Sequence, residues 1–244
     1  MSSSLSFEAS TKVAGGVAFA DRLRAEGARR YHDSHPFHAR MNKGSLSRAD
    51  LRTWVVNRYY YETRIPIADA LICAKSEDLS FRRAWRQRLV DHDGDDNVEG
   101  GLHKWVRLAG AVGVEPAALG GFAFVHPGVR LACDAHVETV RNASLIEAVA
   151  ASLTECFVPE LMKRRIDAWL RHYPWVDASA LDYFRARVQR STRNGAFALS
   201  FVVANARTPD LEEACVAALV KKAEILWHML DCIDIATRAP SGDA

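Results

Sequence analysis

The chain has 244 residues, of which 49% are hydrophobic and 25% charged, a composition typical of globular proteins that excludes collagen-like, low-complexity and disordered chains. This length suffices for one large domain or two small ones. The chain has 32 Lys and Arg and 30 Asp and Glu, so its net charge is only +2. Neither nucleic acid nor an anionic membrane is therefore a predicted partner.

The N-terminus and the cysteines indicate a reducing compartment. Residues Met1–Ser10 are rich in Ser, without the basic and apolar regions of a secretory signal. No apolar run approaches the roughly 20 residues that span a bilayer. The cysteines are odd in number and lack a Cys-x-x-Cys pair, which predicts free thiols and a cytoplasmic location; they are Cys73, Cys133, Cys156, Cys215 and Cys232.

Helical signals dominate the chain. Ser47 followed by Asp50 forms a capping-box pattern, and the apolar periodicity then continues to about Ala74, with a kink expected at Pro66. The last helix begins at Thr208-Pro209, a cap followed by Pro at the first helical position. Further helices are expected over 78–92, 99–113, 126–143, 144–171, 178–191, 195–206 and 209–236.

The predicted fold is a single all-α domain. No Asn-Gly or Asp-Gly lies between alternating β-branched residues, so strands are not expected. We expect a compact helical bundle over residues 17–237, with flexible segments at 1–16 and 238–244. Long helices interrupted at Pro predict a ligand cavity inside the bundle.

Several polar side chains fall on faces that should point into this bundle. Glu155 and Arg165 share one face of the 144–171 helix with small residues, and Lys222 lies in an apolar run. Pairs at i, i+4 spacing are Tyr183 and Arg187, Arg88 and His92, and Arg58 and Glu62. Taken alone, each has an ordinary explanation: a salt bridge, a surface pair, a helix-dipole contact or a snorkelling lysine.

Two motifs have the residue types of metal ligands but the wrong geometry. His32, His35 and His38 are evenly spaced, but Pro36 interrupts the helix that would align them. The acidic segment 91–96 places its Gly incorrectly for an EF-hand and lacks the bidentate Glu at position 12. No metal site is predicted from either.

The chain resembles the pyrroloquinoline-quinone synthase (PqqC) family over roughly residues 20–236. Several strings of uncommon residues occur at matching intervals. They are Tyr31-His32, His35–His38, Trp54–Tyr61, Ile65-Pro66, Trp85–Gly94, Ser152–Glu155, His172–Trp175, Tyr183–Arg187 and Leu226-Trp227.

The resemblance implies a haem-oxygenase-like fold, a homodimer, and an oxidase that uses molecular oxygen without a metal or organic cofactor. The family's reaction closes a ring, oxidises a tricyclic quinone precursor and releases hydrogen peroxide. The substrate would be a small polyacid of quinone type. Such chemistry is reasonable, because a protein base can produce an electron-rich anion that reduces oxygen, and fixed cations stabilise the developing charge.

Roles for individual residues also follow from the resemblance. His92 would be the central acid or base, and Tyr183 and Arg187 would hold and polarise oxygen. His32 and Glu155 would assist proton transfer. The substrate's carboxylates and quinone oxygens would be bound by Tyr31, Arg58, Tyr61, Arg88, Arg165 and Lys222, with Glu62 and His136 also lining that site.

The chain departs from the family pattern at four substrate-facing positions. The family has Gln where this chain has Glu62, Lys at Ala68, Tyr at His136 and, in some members, His at Met162. The first two changes add a negative charge and remove a positive one. Since a buried charged contact contributes about 2–5 kcal/mol, a paralogue with the same oxygen chemistry and a less anionic substrate is an alternative.

Two further alternatives are a metal-dependent oxidase on the same fold and a ligand-binding protein without activity. The helix that carries metal ligands in such oxidases here has Tyr183, Arg187 and Arg190, which make a poor cation site. A non-enzyme could retain the pocket residues and bind ligand without turnover.

Overall fold

The structure, a computed structural model, describes the backbone of residues 2–238 and the side chains from residue 16 onward. In chain order the α-helices are α1 (Ser2–Arg30), α2 (Pro36–Asn42), α3 (Arg48–Ala74), α4 (Leu79–Asp93), α5 (Gly101–Ala111), α6 (Pro116–Leu119), α7 (Pro127–Asn142), α8 (Leu145–Ala151), α9 (Val158–His172), α10 (Asp182–Asn205) and α11 (Pro209–Arg238). Short 3₁₀ turns lie at His32–Ser34, Gly120–Phe122, Ser152–Phe157 and Ala178–Leu181. Within residues 2–238 extended pairing is limited to one isolated bridge, between Gly94 and Glu99, which confirms the all-α prediction.

Helix starts follow the capping signals in the sequence. The Ser47 hydroxyl accepts from the Asp50 N–H at 3.1 Å, and the Asp50 carboxylate accepts from the Ser47 N–H at 2.8 Å. This reciprocal box starts α3, which runs through Pro66 to Ala74 as predicted. At α11 the Thr208 hydroxyl accepts from the Leu211 N–H at 3.3 Å, directly before Pro209.

The single helix predicted over 144–171 is wrong. The structure divides it into α8, the 3₁₀ segment Ser152–Phe157 and α9. The Ser152 hydroxyl donates to the Val149 carbonyl at 2.7 Å where α8 ends, and Pro159 lies in the first turn of α9, where a missing N–H costs nothing. Glu155 therefore lies on a tight turn, which directs it into the interior.

The predicted break between helices 178–191 and 195–206 is also wrong, because α10 is continuous from Asp182 to Asn205. Gly195 lies inside this helix, and a Cβ there would lie 3.1 Å from the backbone nitrogen of Cys156. The glycine serves the close approach of α10 to the Ser152–Phe157 turn and does not end the helix. The continuity of α10 is thus explained by a contact between segments that are far apart in the chain.

The apolar periodicity of the sequence did not predict the two α-helices before Ser47, α1 and α2. In α2 the ring of His35 accepts from the Phe37 N–H at 3.1 Å, so His35 caps the helix and Pro36 is its first residue. The backbone of α1 is helical from Ser2. The flexibility predicted at 1–16 and 238–244 stays a prediction, as do the domain boundaries: residues 2–16 belong to the helical backbone of α1, and residues 239–244 lie outside the described part of the chain.

Two apolar clusters form the interior. The first surrounds Trp54, Trp105 and Trp169, and the second surrounds Phe81 and Trp85. Four helices, α3, α7, α10 and α11, contribute residues to both clusters and so connect them. Within residues 2–238 no helix combines the length and apolar character needed to cross a bilayer.

The turn between α4 and α5 is closely packed. Gly94 ends α4 with a φ of +83°, in the left-handed region that favours glycine. A Cβ at Gly100 would lie 2.5 Å from both the Asp93 carbonyl carbon and the Gly94 nitrogen. This approach sets where α5 begins relative to the end of α4.

We therefore expect Gly100→Ala to lower the free energy of unfolding by about 1–3 kcal/mol, because backbone atoms must move apart. Gly110→Ala is the matched control, since Gly110 is an exposed residue of α5 and a Cβ there meets nothing within 4 Å. That change should stabilise the protein by about 0.5–1 kcal/mol through helix propensity. Urea unfolding measures both, and equal effects of the two changes would contradict the expectation.

Candidate active site

Every residue to which the family resemblance assigns a catalytic or substrate-binding role is buried. They come from elements that are distant in the chain and converge between the two apolar clusters. The contributing residues are Tyr31 and His32, then Arg58, Tyr61 and Glu62 of α3, Arg88 and His92 of α4, His136 of α7, Glu155 of the 3₁₀ turn, Arg165 of α9, Tyr183 and Arg187 of α10, and Lys222 of α11. The ordinary surface explanations for these residues are therefore excluded.

A small cavity lies where the two clusters adjoin. Its lining consists of Tyr61, Ile65, Ala68, Asp69, Ile72, Arg88, His136, Ala148, Ser152, Thr154, Glu155 and Lys222. Its volume of about 30 Å³ is sufficient for a water molecule but not for an organic ligand. The structure therefore has an internal space, as the sequence predicts, but a small one.

Three of the arginines each have their own carboxylate. The distances between nitrogen and oxygen are 2.8 Å for Arg58 and Glu62, 2.8 Å for Arg88 and Asp69, and 2.7 Å for Arg187 and Glu155. Among the described side chains, Arg165 and Lys222 have no carboxylate within salt-bridge distance. The cationic cluster predicted from the sequence is thus partly neutralised within the protein.

Arg187 connects two of the predicted catalytic residues. One of its terminal nitrogens binds Glu155, and the other lies 3.4 Å from Nε2 of His92. The Tyr183 hydroxyl, one turn earlier on α10, donates to the second oxygen of Glu62. A Cβ at Gly101 would lie 3.3 Å from the Tyr183 ring, so α5 approaches this centre closely.

Arg165 lies in a different part of the site. Its guanidinium is 5.0 Å from the centroid of the Trp54 ring and 5.4 Å from that of Phe184, an arrangement that favours the cation by its contact with aromatic faces. Its terminal nitrogens approach Met162 Sδ at 3.9 Å and His38 Nδ1 at 3.2 Å. Arg165 is therefore held by aromatic rings and neutral side chains.

Lys222 enters the cavity from α11. Its side-chain nitrogen lies 4.5 Å from the centroid of the Tyr61 ring, and the guanidinium of Arg58 lies 4.3 Å from the same centroid. Within the described part of the chain the Lys222 nitrogen and Nδ1 of the nearby His136 have no hydrogen-bond partner. These two atoms are available to a ligand in the cavity.

Burial and neighbouring charges determine the ionisation of the site. Burial, with the charge of Arg187, lowers the pKa of His92 to about 3. Burial opposes ionisation of Glu155, but Arg187 and Arg88 outweigh it and lower the pKa of this carboxyl to about 2. Burial lowers the pKa of Arg165 to about 9 and that of Lys222 well below its usual value.

Two residues of the site were not predicted. Asp69 pairs with Arg88 and lines the cavity; its place seven residues after Glu62 on α3 puts both carboxylates on one helix face, a signal that the sequence does contain. His38 contacts Arg165, and the sequence presented it only as part of a motif with metal-like spacing.

The two metal-like motifs have other contacts. The Nε2 atom of His35 lies 3.0 Å from the Asp231 carboxylate of α11, whereas His32 and His38 contact each other. Asp91 is paired with Arg190 and Arg193 of α10. Among the described residues no group of three His, Cys, Asp or Glu side chains is placed to hold a metal ion.

The helical architecture defines the class of protein. It matches a domain with a haem-oxygenase-like fold from Shewanella denitrificans, with a TM-score of 0.72 and 11% identity over 92% of this chain and 95% of that one. A TenA homologue from Pseudomonas syringae matches with a TM-score of 0.73 and 16% identity, over 89% of this chain and 93% of that one. The chain therefore has the haem-oxygenase-like fold, which confirms the prediction.

The sequence comparison is more specific. The profile of the TENA/THI-4/PQQC family matches residues 20–232, and the chain belongs to this family. The pyrroloquinoline-quinone synthase of Rhizobium rhizogenes is 43% identical over 94% of this chain and 93% of its own length. That of Rhizobium meliloti is 44% identical over 91% and 87%.

The unpartnered Lys222 leads to a stability prediction. We expect Lys222→Met to raise the free energy of unfolding by about 1–3 kcal/mol, the usual cost of a buried polar group without a partner. Because the folded protein holds this lysine with a lowered pKa, the unfolded chain binds an extra proton below the ordinary value of 10.5. The gain should therefore be largest at low pH and should shrink as pH rises toward that value.

Chemical unfolding at several pH values measures this effect. The adjacent Lys221 is exposed, and Lys221→Met is the matched control, with an expected change within about 0.5 kcal/mol. No gain in stability over the control, or a loss larger than that of the control, would show that the Lys222 nitrogen is satisfied in the folded state.

The pairing of Glu62 leads to a second prediction. Glu62→Gln removes the charge that binds Arg58 and leaves an amide that cannot accept from both Arg58 and Tyr183. We expect the free energy of unfolding to fall by about 1–3 kcal/mol, while the affinity for an aromatic tricarboxylate rises, because Arg58 becomes available to the ligand. Urea unfolding and calorimetric titration measure the two effects.

The control for this change is Glu213→Gln, which breaks the exposed pair with Arg22 and should have an effect of at most about 1 kcal/mol on stability and none on tricarboxylate binding. Unchanged or weaker tricarboxylate binding by Glu62→Gln would mean that Arg58 does not meet the ligand.

Proposed function

We propose that this protein is a pyrroloquinoline-quinone synthase, an oxygen-dependent oxidase that closes a ring in a tricyclic quinone precursor, oxidises it and releases hydrogen peroxide. The observation that carries this proposal is the identity of 43–44% to pyrroloquinoline-quinone synthases over about nine tenths of this chain. The buried group of His92, Arg187, Glu155 and Tyr183 supports it, because it combines a neutral base with a fixed cation.

The substrate is a small polyacid. Among the described side chains, Arg165 and Lys222 have no internal carboxylate, and they supply the first contacts for substrate carboxylates. A carboxylate beside Lys222 raises the lowered pKa of this lysine and so favours its charged form. Arg58 and Arg88 contribute if substrate carboxylates replace Glu62 and Asp69 at their guanidinium groups. Since ligand sites usually measure roughly 300–1,000 Å³, substrate binding must enlarge the cavity, which has a volume of about 30 Å³.

His92 is the base that removes a proton from a substrate carbon. Its lowered pKa keeps the imidazole neutral, the form that can accept a proton. The negative charge of the bound substrate offsets that of Arg187 and raises the pKa of His92 toward the range useful for catalysis. The base is thus available in the empty site and becomes stronger when substrate is present.

Oxygen accepts the electrons that the deprotonated substrate releases. In each oxidation two electrons leave the substrate and, with two protons, convert one oxygen molecule to hydrogen peroxide. Arg187 stabilises the negative charge on the reduced oxygen, and Tyr183, Glu155 and His32 hold or move the protons. No metal or organic cofactor takes part in this scheme, since the substrate anion itself is the reductant.

We also propose that the protein works as a homodimer in the cytoplasm. The thiols of Cys73, Cys133, Cys156, Cys215 and Cys232 are all free, which suits a reducing compartment. The dimer is the expectation from the family resemblance. The nearly balanced charge of the chain supports a small-molecule substrate and no nucleic-acid partner.

A second candidate is the same oxygen chemistry on a less anionic substrate. The observation that favours it is the ion pair between Arg58 and Glu62, which neutralises one of the cations of the site. Ala68 lines the cavity where a lysine would add a positive charge. The two candidates share every catalytic role and differ only in the number of carboxylates that the substrate carries.

The direct test is to incubate purified protein with the tricyclic precursor in air and to follow the quinone spectrum, oxygen consumption and peroxide release. We expect His92→Ala to lower the turnover rate by roughly 10²–10⁴-fold, the usual contribution of a positioned acid or base, while binding of the precursor changes little. His103→Ala, an exposed histidine of α5, is the matched control and should keep wild-type turnover.

Three outcomes would each overturn part of this proposal. Neither binding nor turnover of the precursor by the wild-type protein would exclude the first candidate and leave the second. Wild-type oxygen consumption in His92→Ala would show that His92 is not the base. Loss of activity on chelation, together with stoichiometric iron, would replace both candidates with a metal-dependent oxidase.

A further inference from the structure

Two histidines of the evenly spaced motif and Arg165 form a buried series of hydrogen bonds. A terminal nitrogen of Arg165 lies 3.2 Å from Nδ1 of His38, and Nε2 of His38 lies 3.1 Å from Nδ1 of His32. All three side chains are at most 2% exposed. The third histidine of the motif, His35, takes no part in this series and instead caps α2.

Arg165, the donor at one end of this series, determines which nitrogen of each histidine carries the proton. A guanidinium has N–H donors and no acceptor, so Nδ1 of His38 must accept from Arg165. A neutral imidazole carries one proton, which for His38 is then on Nε2, and this N–H donates to Nδ1 of His32. The single proton of His32 is therefore on its own Nε2.

Both rings are held in the neutral form that this reasoning requires. Burial, together with the charges of Arg58 and Arg165, lowers the pKa of His32 well below its usual value, and burial and Arg165 do the same for His38. A protonated His38 would place an N–H against the N–H of Arg165. That arrangement brings two like charges and two donors together, which is unfavourable.

Arg165 and His38, the first two members of this hydrogen-bonded series, are held in place. The rings of Trp54 and Phe184 hold the guanidinium of Arg165. His38 lies on α2, whose start is anchored because His35 caps it and contacts Asp231 of α11 at 3.0 Å. A relay held in this way selects the tautomer and the ring orientation of its last member.

We infer that His38 is a positioning residue that transmits the donor direction of Arg165 to His32 and keeps His32 as an Nε2–H donor. This inference rests on the proposed function for the role of His32 in the reaction, but the tautomer itself does not depend on that function. With Nδ1 occupied by His38, His32 cannot act as a base. It donates a hydrogen bond to a substrate or peroxide oxygen that becomes negative, and proton removal is left to His92.

The first test needs no turnover. In the ¹⁵N-labelled, substrate-free protein, long-range ¹H–¹⁵N correlation should show protonated Nε2 and unprotonated Nδ1 for both His32 and His38. In His38→Leu the ring of His32 loses its donor, and its nitrogen signals should move toward a mixture of tautomers. In His38→Gln they should keep the wild-type pattern, because the amide can accept from Arg165 and donate to His32.

Turnover provides the second readout. We expect His38→Leu to lower kcat of the precursor reaction by roughly 10- to 100-fold, the usual effect of losing a partner that orients a functional histidine, and His38→Gln to recover most of it. His103→Leu is the matched control: it makes the same replacement at an exposed histidine of α5, and both the tautomer of His32 and kcat should stay the same.

The outcomes are distinguishable from a failure of the proposed function. A wild-type His32 protonated on Nδ1, an unchanged His32 pattern in His38→Leu, or a His38→Gln variant as impaired as His38→Leu would each overturn the inference. Correct tautomers without any turnover would instead overturn the function and leave the positioning intact. If His38→Leu does not fold, Arg165→Met removes the donor at the far end, and His38 should then lose its single tautomer.

Discussion

The ion pair between Arg187 and Glu155 is the interaction on which the polar interior of this protein depends. It joins α10 to the 3₁₀ turn between α8 and α9, and the same guanidinium reaches His92 at the end of α4. A buried charge without a partner costs several kcal/mol, and loss of one partner typically destabilises by about 3–5 kcal/mol. The three segments are therefore constrained to meet at one place, and His92 and Arg187 are positioned together.

The same constraint explains why the cavity is small. Arg88 pairs with Asp69 of α3 and Arg187 with Glu155 of the 3₁₀ turn, so these two contacts join separate elements, whereas Arg58 pairs with Glu62 within α3. A polyacid can exchange its own carboxylates for some of these internal ones. Binding then replaces one set of buried pairs with another, and each displaced carboxyl must take up a proton or find a new partner. Among the described side chains Lys222 and Arg165 have no such partner. A ligand carboxylate that pairs with either one therefore gains a contact without displacing an internal carboxylate.

Part of this arrangement is readable from the sequence and part is not. The box between Ser47 and Asp50 and the Thr208-Pro209 start were predictable, because a cap depends on residues within one turn. Gly195 was misread, since its role is the contact with Cys156, almost 40 residues away. The inward faces of α3 and α10 marked Glu62 and Arg187 as unusual, but no local pattern indicated which carboxylate each arginine would meet.

The sequence by itself determined the all-α class, the main helices and the set of polar residues that belong inside, because periodicity, caps and rare residue strings are local properties. Only the tertiary structure decided how these residues pair. It placed Asp69 on Arg88, turned Glu155 inward on a 3₁₀ segment and connected His38 to Arg165. The physical reason is that the ionisation and the tautomer of a buried group depend on what faces it, and those neighbours come from helices far apart in the chain.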